Sequence, residues 1–234
     1  MANNGTKLLA VLIDGDNIAA KHAEAILSEI TTYGEPALRR VYGDWSSSGM
    51  NAWARKVQAL GLVAHQESAN TKGKNATDIG LVIDAMDLLH TGRFDGFVLV
   101  SSDSDFTALA NRIREQGMDV IGIGESKTPE SLKNVCTRFV MIENITESRP
   151  EETAAKPAKR APQEALPLIL AAMEKIDQEG EWYQLGQVGQ SIQADHRDFD
   201  TRSYGKAKLS DLIRELKRFE TKREGNHVLL RRLD

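Results

Sequence analysis

Two apolar runs of this chain end in closely spaced acids. Leu8–Ile13 leads into Asp14-Gly15-Asp16-Asn17, and Gly96–Val100 leads into Ser101-Ser102-Asp103-Ser104-Asp105. A further acid, Asp78, opens an apolar helical segment after the polar loop Asn70-Thr71-Lys72-Gly73-Lys74-Asn75. Carboxylates gathered in one place repel, by roughly 4 kcal/mol for a pair about 4 Å apart at an effective dielectric of 20. Either one of them takes up a proton or a divalent cation sits among them. Ligands that are all carboxylate oxygen select hard ions, so Mg2+ or Mn2+ is the expected cofactor. Such a centre suits phosphodiester hydrolysis: the ion polarises the phosphate, lowers the pKa of a bound water and offsets charge on the leaving oxygen. His22, His65 and His90 have no suitably placed nucleophile, so a Ser/His/Asp arrangement does not compete. The bland alternative is helix capping, in which an Asp at a strand–helix junction accepts an amide hydrogen bond worth about 1 kcal/mol. That alternative weighs most on Asp16 and Asp105, next on Asp78 behind Thr77, and least on Asp14 and Asp103. Asp84 follows Asp78 by about 240° of helix rotation and is expected, with Asp87, to face solvent. Lys74 is a candidate for contact with a substrate phosphate.

The elements that would position these acids alternate along the first part of the chain. An unbroken apolar run such as Leu8–Ile13 is the pattern of a strand buried on both faces. Further strands are expected over Leu38–Tyr42, Leu62–His65, Gly96–Ser101, Val120–Ile123 and Val140–Ile142. Helices are expected over Ile18–Tyr33, Met50–Leu60, Asp78–His90 and Phe106–Gln116. In the third of these, Ile79, Val82, Ile83, Met86 and Leu89 read as the inward side. The alternation implies an α/β fold, a parallel sheet with helices on both faces. In such sheets ligands bind beyond the carboxyl ends of the strands, at a switch point. Asp14, Asp16, Asp78, Asp103 and Asp105 would all lie along that edge. Gly122-Ile123-Gly124 is a lone Gly-x-Gly and reads as a strand-end turn.

At 234 residues the chain suits one large domain and a small one. Residues 1–145 read as the α/β domain, 146–163 as a flexible linker and 164–234 as a second domain. The linker carries Pro150, Pro157 and Pro162 and too little apolar surface to order itself. A composition of 41% hydrophobic and 27% charged residues excludes a wholly disordered or fibrous chain. The longest apolar stretch is far short of the roughly 20 residues of a membrane span, and no signal-peptide core is visible. The single cysteine, Cys136, suits a reducing cytoplasm. Net charge is −4, yet residues 201–234 hold ten basic and five acidic side chains. Helices are expected over Glu164–Glu179, Gln184–Asp195 and Lys206–Phe219, followed by a hairpin turning at Glu224-Gly225-Asn226, which together suggest a small winged-helix-like unit. Arg202, Lys206, Lys208, Lys217, Arg218, Lys222 and Arg223 suit phosphate contacts. Tyr204 is a candidate for stacking on a base, whereas Trp182 and Tyr183 read as core.

Three segments together resemble a known family: Leu9-Ala-Val-Leu-Ile-Asp-Gly-Asp-Asn17, Lys74-x-x-x-Asp78 with its apolar helix, and Val98-Leu-Val-Ser-Ser-Asp-Ser-Asp-Phe106. They look like a NYN domain, the PIN-like nuclease branch that includes LabA-like proteins, over about residues 7–145. The resemblance implies a Rossmann-like PIN fold and a Mg2+- or Mn2+-dependent ribonuclease. Its metal-site acids fall on Asp14, Asp78, Asp103 and Asp105, with Asn17 as a supporting polar group and Asp16 more a neighbour than a ligand; Ser101 and Lys74 are further supporting candidates. Leu185-Gly-Gln-Val-Gly189, Phe199-Asp200 and Tyr204-Gly205-Lys206-Ala-Lys-Leu-Ser-Asp-Leu-Ile213 resemble a LOTUS, or OST-HTH, domain. That resemblance implies binding of RNA, single-stranded or structured, or of a protein partner. The leading expectation is a cytoplasmic ribonuclease with a C-terminal RNA-binding module. Two others stand beside it. One is a catalytically silent RNA-binding adaptor. The other is a haloacid dehalogenase-like phosphatase with Asp14 as nucleophile and Asp16 as acid/base.

Overall fold

The computed structural model describes residues 6–66, 76–146, 159–177 and 180–233. The chain divides into two compact units, Met1–Pro150 and Glu151–Asp234.

The first unit is a six-stranded parallel sheet in the order β3-β2-β1-β4-β5-β6. Its strands are β1 (Leu8–Asp14), β2 (Glu35–Gly43), β3 (Val63–Gln66), β4 (Gly96–Val100), β5 (Asp119–Gly124) and β6 (Arg138–Met141). The helices between them are α1 (Ala23–Ile30), α2 (Asn51–Leu60), α3 (Ala76–His90), α4 (Thr107–Glu115) and α5 (Glu130–Val135), with α6 (Ile142–Thr146) closing the unit. The expected α/β architecture is therefore present, and its switch point falls between β1 and β4, the two strands that end in acids.

Strand alternation sorts the core into two layers. Leu9, Val11 and Ile13 of β1 join Val98 and Val100 of β4 under α1 and α2. Ala10, Leu12, Tyr42, Phe97 and Leu99 face the other way, under α3, α4 and α5. Cys136 is fully buried in that second layer, with its thiol donating to the Leu132 carbonyl at 3.2 Å.

Several expectations need correction. The helix expected from Ile18 starts later, because Ala19 is extended; a single 3-10 turn, Ala20–His22, leads into α1. In α3 the buried stripe is Leu81, Ala85, Leu88 and Leu89, while Ile79 and Ile83 are 59% and 58% exposed. That helix is apolar almost all round, so periodicity alone points to no one side. Gly122 and Gly124 lie inside β5 rather than in a turn, and a Cβ on Gly122 would stand 2.5 Å from the Phe139 ring. The short helices α5 and α6 were not expected.

The second unit contains α7 (Leu166–Lys175), α8 (Leu185–Asp195), α9 (Leu209–Leu216) and a three-stranded antiparallel sheet, β7-β9-β8. Its strands are β7 (Tyr183–Gln184), β8 (Phe219–Glu224) and β9 (His227–Arg232). This is the winged-helix-like arrangement expected, with β7 as an additional strand. Ile169, Ala172, Val188, Ile192, Leu212, Ile213 and Leu230 form its centre. The expected linker, 146–163, is too long at both ends. Thr146 ends α6, and Arg160 donates its amide to the Ser203 carbonyl at 2.9 Å, so the second unit is already folded there. Residues 147–158 lie outside the described residues. Trp182 is not core: it lies half-exposed, with the Lys222 ammonium 4.3 Å and the Arg231 guanidinium 4.9 Å from its ring centroid.

Among the described residues, no helix is long and apolar enough to cross a membrane.

Candidate active site

Sheet register brings the first two acidic segments together. Ile13 pairs with Val100, so Asp14 and Ser101 leave β1 and β4 side by side and, by alternation, on the α3 face. Asp14 is 3% exposed. Its Oδ2 accepts the Ser101 hydroxyl at 2.8 Å, and its Oδ1 accepts the Asn17 amide at 3.1 Å. The Ser101 hydroxyl in turn accepts the Asp103 amide at 3.1 Å. One serine thus ties the first acid of β1 to the backbone of the acidic loop after β4. Burial pushes the Asp14 carboxyl up to about 6; the bonds from Ser101 and Asn17 oppose this, and the nearby Asp78 and Asp16 carboxylates add to it.

Asp78 stands in the first turn of α3, half-buried. Its carboxyl is raised by burial first, then by Asp103, Asp105 and Asp16. All five acids therefore belong to one electrostatic group, with Asp78 coupled to the other four. Asp16 is exposed, and its Oδ2 accepts the Thr77 hydroxyl at 2.8 Å, a tie from the β1 loop to the start of α3. In the sequence Thr77 stands out only as the residue before Asp78 at a helix start. Its partner is a carboxylate sixty-one residues earlier, which local reading cannot supply. Gly15 lets the loop pass: its amide donates to the Tyr42 carbonyl at 2.8 Å, and a Cβ there would lie 2.8 Å from Met50 Cε and 2.9 Å from that carbonyl.

The capping alternative is realised at Asp103. Its Oδ1 accepts the Asp105 amide at 2.9 Å, opening the turn Ser104–Phe106 that leads into α4. Asp105 is exposed. Lys74 lies outside the described residues.

As to a cation, the donor set is all carboxylate oxygen and carries uncompensated repulsion, which matches a hard divalent ion. The positions match less well: among the described residues, no three His, Cys, Asp or Glu side chains are placed as ligands of one ion. Asp14, Asp16 and Asp103 point their oxygens at Ser101 and Asn17, at Thr77 and at the Asp105 amide. The residues fit a divalent cation in chemistry and charge.

Asp84 departs from its expected solvent-facing position. It lies beside the buried stripe of α3 and accepts hydrogen bonds from the Arg40 guanidinium and the Tyr42 hydroxyl of β2. Asp87 is exposed, as expected.

In the second unit, the residues proposed for RNA divide. Tyr204 is 4% exposed and packs beside Phe199, ring centroids 5.9 Å apart, so its ring belongs to the core and is not offered to a base. The Arg202 guanidinium is held by Asp200, with its Nη2 2.6 Å from the carboxylate. Lys206 pairs with Glu215 at 3.3 Å. Lys208, Lys217, Arg218 and Arg223 are exposed around α9 and β8. Lys217 ends α9 in the left-handed conformation, φ 51°.

The parallel sheet in the order β3-β2-β1-β4-β5-β6, with helices around it, is a PIN-like α/β arrangement. The chain belongs to the NYN domain family, whose model matches residues 8–143. An OST-HTH/LOTUS domain model matches residues 158–230. NYN domains are PIN-like nuclease domains, and OST-HTH domains are RNA-binding modules. The chain is also similar to the crystal structure of a protein of unknown function from Vibrio parahaemolyticus. That match has a TM-score of 0.51 and 19% identity, and covers 61% of this chain and 96% of the other. It supports the fold alone. No curated protein matches the sequence.

Proposed function

We propose that the protein is a metal-dependent ribonuclease, acting in the cytoplasm, whose OST-HTH unit binds the RNA that the NYN unit cuts. The observation that carries this reading is geometric: at the carboxyl edge of a NYN sheet, register sets the buried Asp14 beside Ser101, whose hydroxyl ties it to the Asp103 loop, while Thr77 ties Asp16 to the start of the helix that carries Asp78. Asp14, Asp78, Asp103 and Asp105 are the residues that would hold Mg2+ or Mn2+. When bound, such an ion supplies an activated water and neutralises charge at the phosphate. The chain's own part is orientation. Ser101 and Asn17 fix both oxygens of Asp14, and Thr77 holds Asp16 against α3. Lys208, Lys217, Arg218 and Arg223 are among the exposed basic side chains of the second unit that would meet phosphates. Lys74 keeps its assignment to a substrate phosphate.

The test is incubation of the purified chain with a mixed RNA pool, with and without Mn2+, beside Asp14→Asn and Asp103→Asn. Cleavage that needs the ion and disappears in both variants, with RNA retention unchanged, supports the reading. Cleavage that survives either substitution removes that residue from the chemistry.

One observation favours a second reading, a catalytically silent RNA-binding adaptor: several of the acids are already engaged by protein donors, and no three are placed around one ion among the described residues. RNA retention with no turnover at any Mn2+ concentration would select it.

A further inference from the structure

We infer that the Arg40–Asp84–Tyr42 cluster is a mount that fixes α3 against the sheet and so sets the position of Asp78 relative to Asp14, a positioning role in the proposed reaction. The inference rests on that reading for its consequence, and on geometry for its substance.

Asp14 of β1 is the direct cross-strand partner of Tyr42 of β2. Both side chains, being in register on adjacent strands, lie on the α3 side of the sheet. The row therefore carries a chemical residue and an anchoring residue next to each other. Above it, α3 presents Asp78 and, six positions on, Asp84. Asp84 accepts both from the Tyr42 hydroxyl and from the Arg40 guanidinium, with the Arg40 and Asp84 side chains 25% and 16% exposed. The helix start is tied separately through Thr77 and Asp16.

Two anchors about 10 Å apart along the axis, at a rise of 1.5 Å per residue, fix both the height and the roll of the helix. The apolar stripe of Leu81, Ala85 and Leu88 cannot do this alone, because hydrophobic contact is non-directional. As a net contribution to stability such a pair offers little over well-packed apolar side chains of similar volume, although taking away one partner alone leaves the other uncompensated and destabilises the fold. What directional bonds add is a single register. A carboxylate that must meet others across a gap of ångströms depends on that register, since misplacement by about 1 Å is enough to cost a hundredfold in rate.

The test compares the full chain with Asp84→Ala, Tyr42→Phe and, as a control of core packing on the opposite layer, Ile26→Val. Amide hydrogen exchange across residues 77–83 is expected to quicken at least tenfold in Asp84→Ala and about threefold in Tyr42→Phe, with α4 unchanged; Ile26→Val leaves α3 unchanged. With RNA and Mn2+, Asp84→Ala is expected to lose at least tenfold in kcat at constant KM, whereas Ile26→Val keeps its kcat although it melts earlier. Unchanged exchange in α3, or full kcat in a variant whose α3 exchange has quickened, overturns the inference. Should the unmodified chain cut no RNA, the proposed function falls, and the exchange measurement alone decides whether Asp84 is the mount.

Discussion

The Ser101 hydroxyl joins the ends of two strands: it donates to Asp14 at 2.8 Å while accepting the Asp103 amide at 3.1 Å. Removing it loosens both acids at once. Ser101→Ala leaves the buried Asp14 oxygen without its donor, a loss of about 1–3 kcal/mol in stability. The carboxyl of Asp14 should rise further, since that bond is what most opposes burial. Denaturant titration and side-chain carboxyl NMR of the variant check both; an unmoved Asp14 titration would assign the effect of Ser101 to packing alone.

Asp14 also predicts a pH dependence. In the folded chain it keeps its proton to about pH 6, against an ordinary 3.8. Between those values the folded state binds more protons than the unfolded one. The stability this group contributes is therefore complete below 3.8 and is lost as the pH climbs through 6. Two pKa units correspond to about 3 kcal/mol at most. In chelator-treated protein, Asp14→Asn should stabilise the first unit at pH 7 by about 1–3 kcal/mol, the lower value reflecting bonds the amide does not replace. The advantage should shrink toward pH 4. A difference between the two proteins that is constant across this range would detach the effect from the proton.

Gly15 is irreplaceable on steric grounds. A methyl there meets the Tyr42 carbonyl at 2.9 Å, and backbone cannot step aside as a side-chain end can. Gly15→Ala should cost about 1–3 kcal/mol through overpacking. Thermal unfolding measures it, and a variant as stable as the parent would mean the β1 loop has room the structure does not show.

Lys217 holds a left-handed backbone that lysine adopts at a cost of about 1–2 kcal/mol. Lys217→Gly should raise the stability of the second unit by about 1 kcal/mol. If the side chain also touches phosphate, the same variant should lower the salt dependence of RNA binding by about one unit of slope. Stability and affinity would then move in opposite directions, which a purely structural lysine would not produce.

Tyr204 and Lys208 should separate core from surface. Tyr204→Ala should cost about 3–5 kcal/mol and weaken RNA binding only by unfolding the unit. Lys208→Ala should leave the melting point in place and reduce affinity at low salt. Equal behaviour of the two would contradict the burial of Tyr204.

The sheet was legible because its central strands are unbroken apolar runs, and the places of Asp14 and Asp103 at strand ends were legible because they closely follow those runs. Ser101 could be named from its place in Ser101-Ser102-Asp103, although only strand register shows that it reaches Asp14. The α3 face was misread because Ile79 and Ile83 are as apolar as Leu81 and Leu88, and only the sheet decides between them. Asp84 was misread for the complementary reason: its partners, Arg40 and Tyr42, are more than forty positions away. In the second unit, the charge excess was visible, but not that Asp200 and Glu215 already answer Arg202 and Lys206.

Cys136, the sole thiol of the chain, is sealed in the core, with burial pushing its pKa up to about 12. At neutral pH it carries almost no thiolate, so alkylating reagents and mild oxidants should pass it by. A cysteine engineered onto any outward position would therefore be the one reactive handle, ready for a fluorophore or spin label without first deleting the native residue.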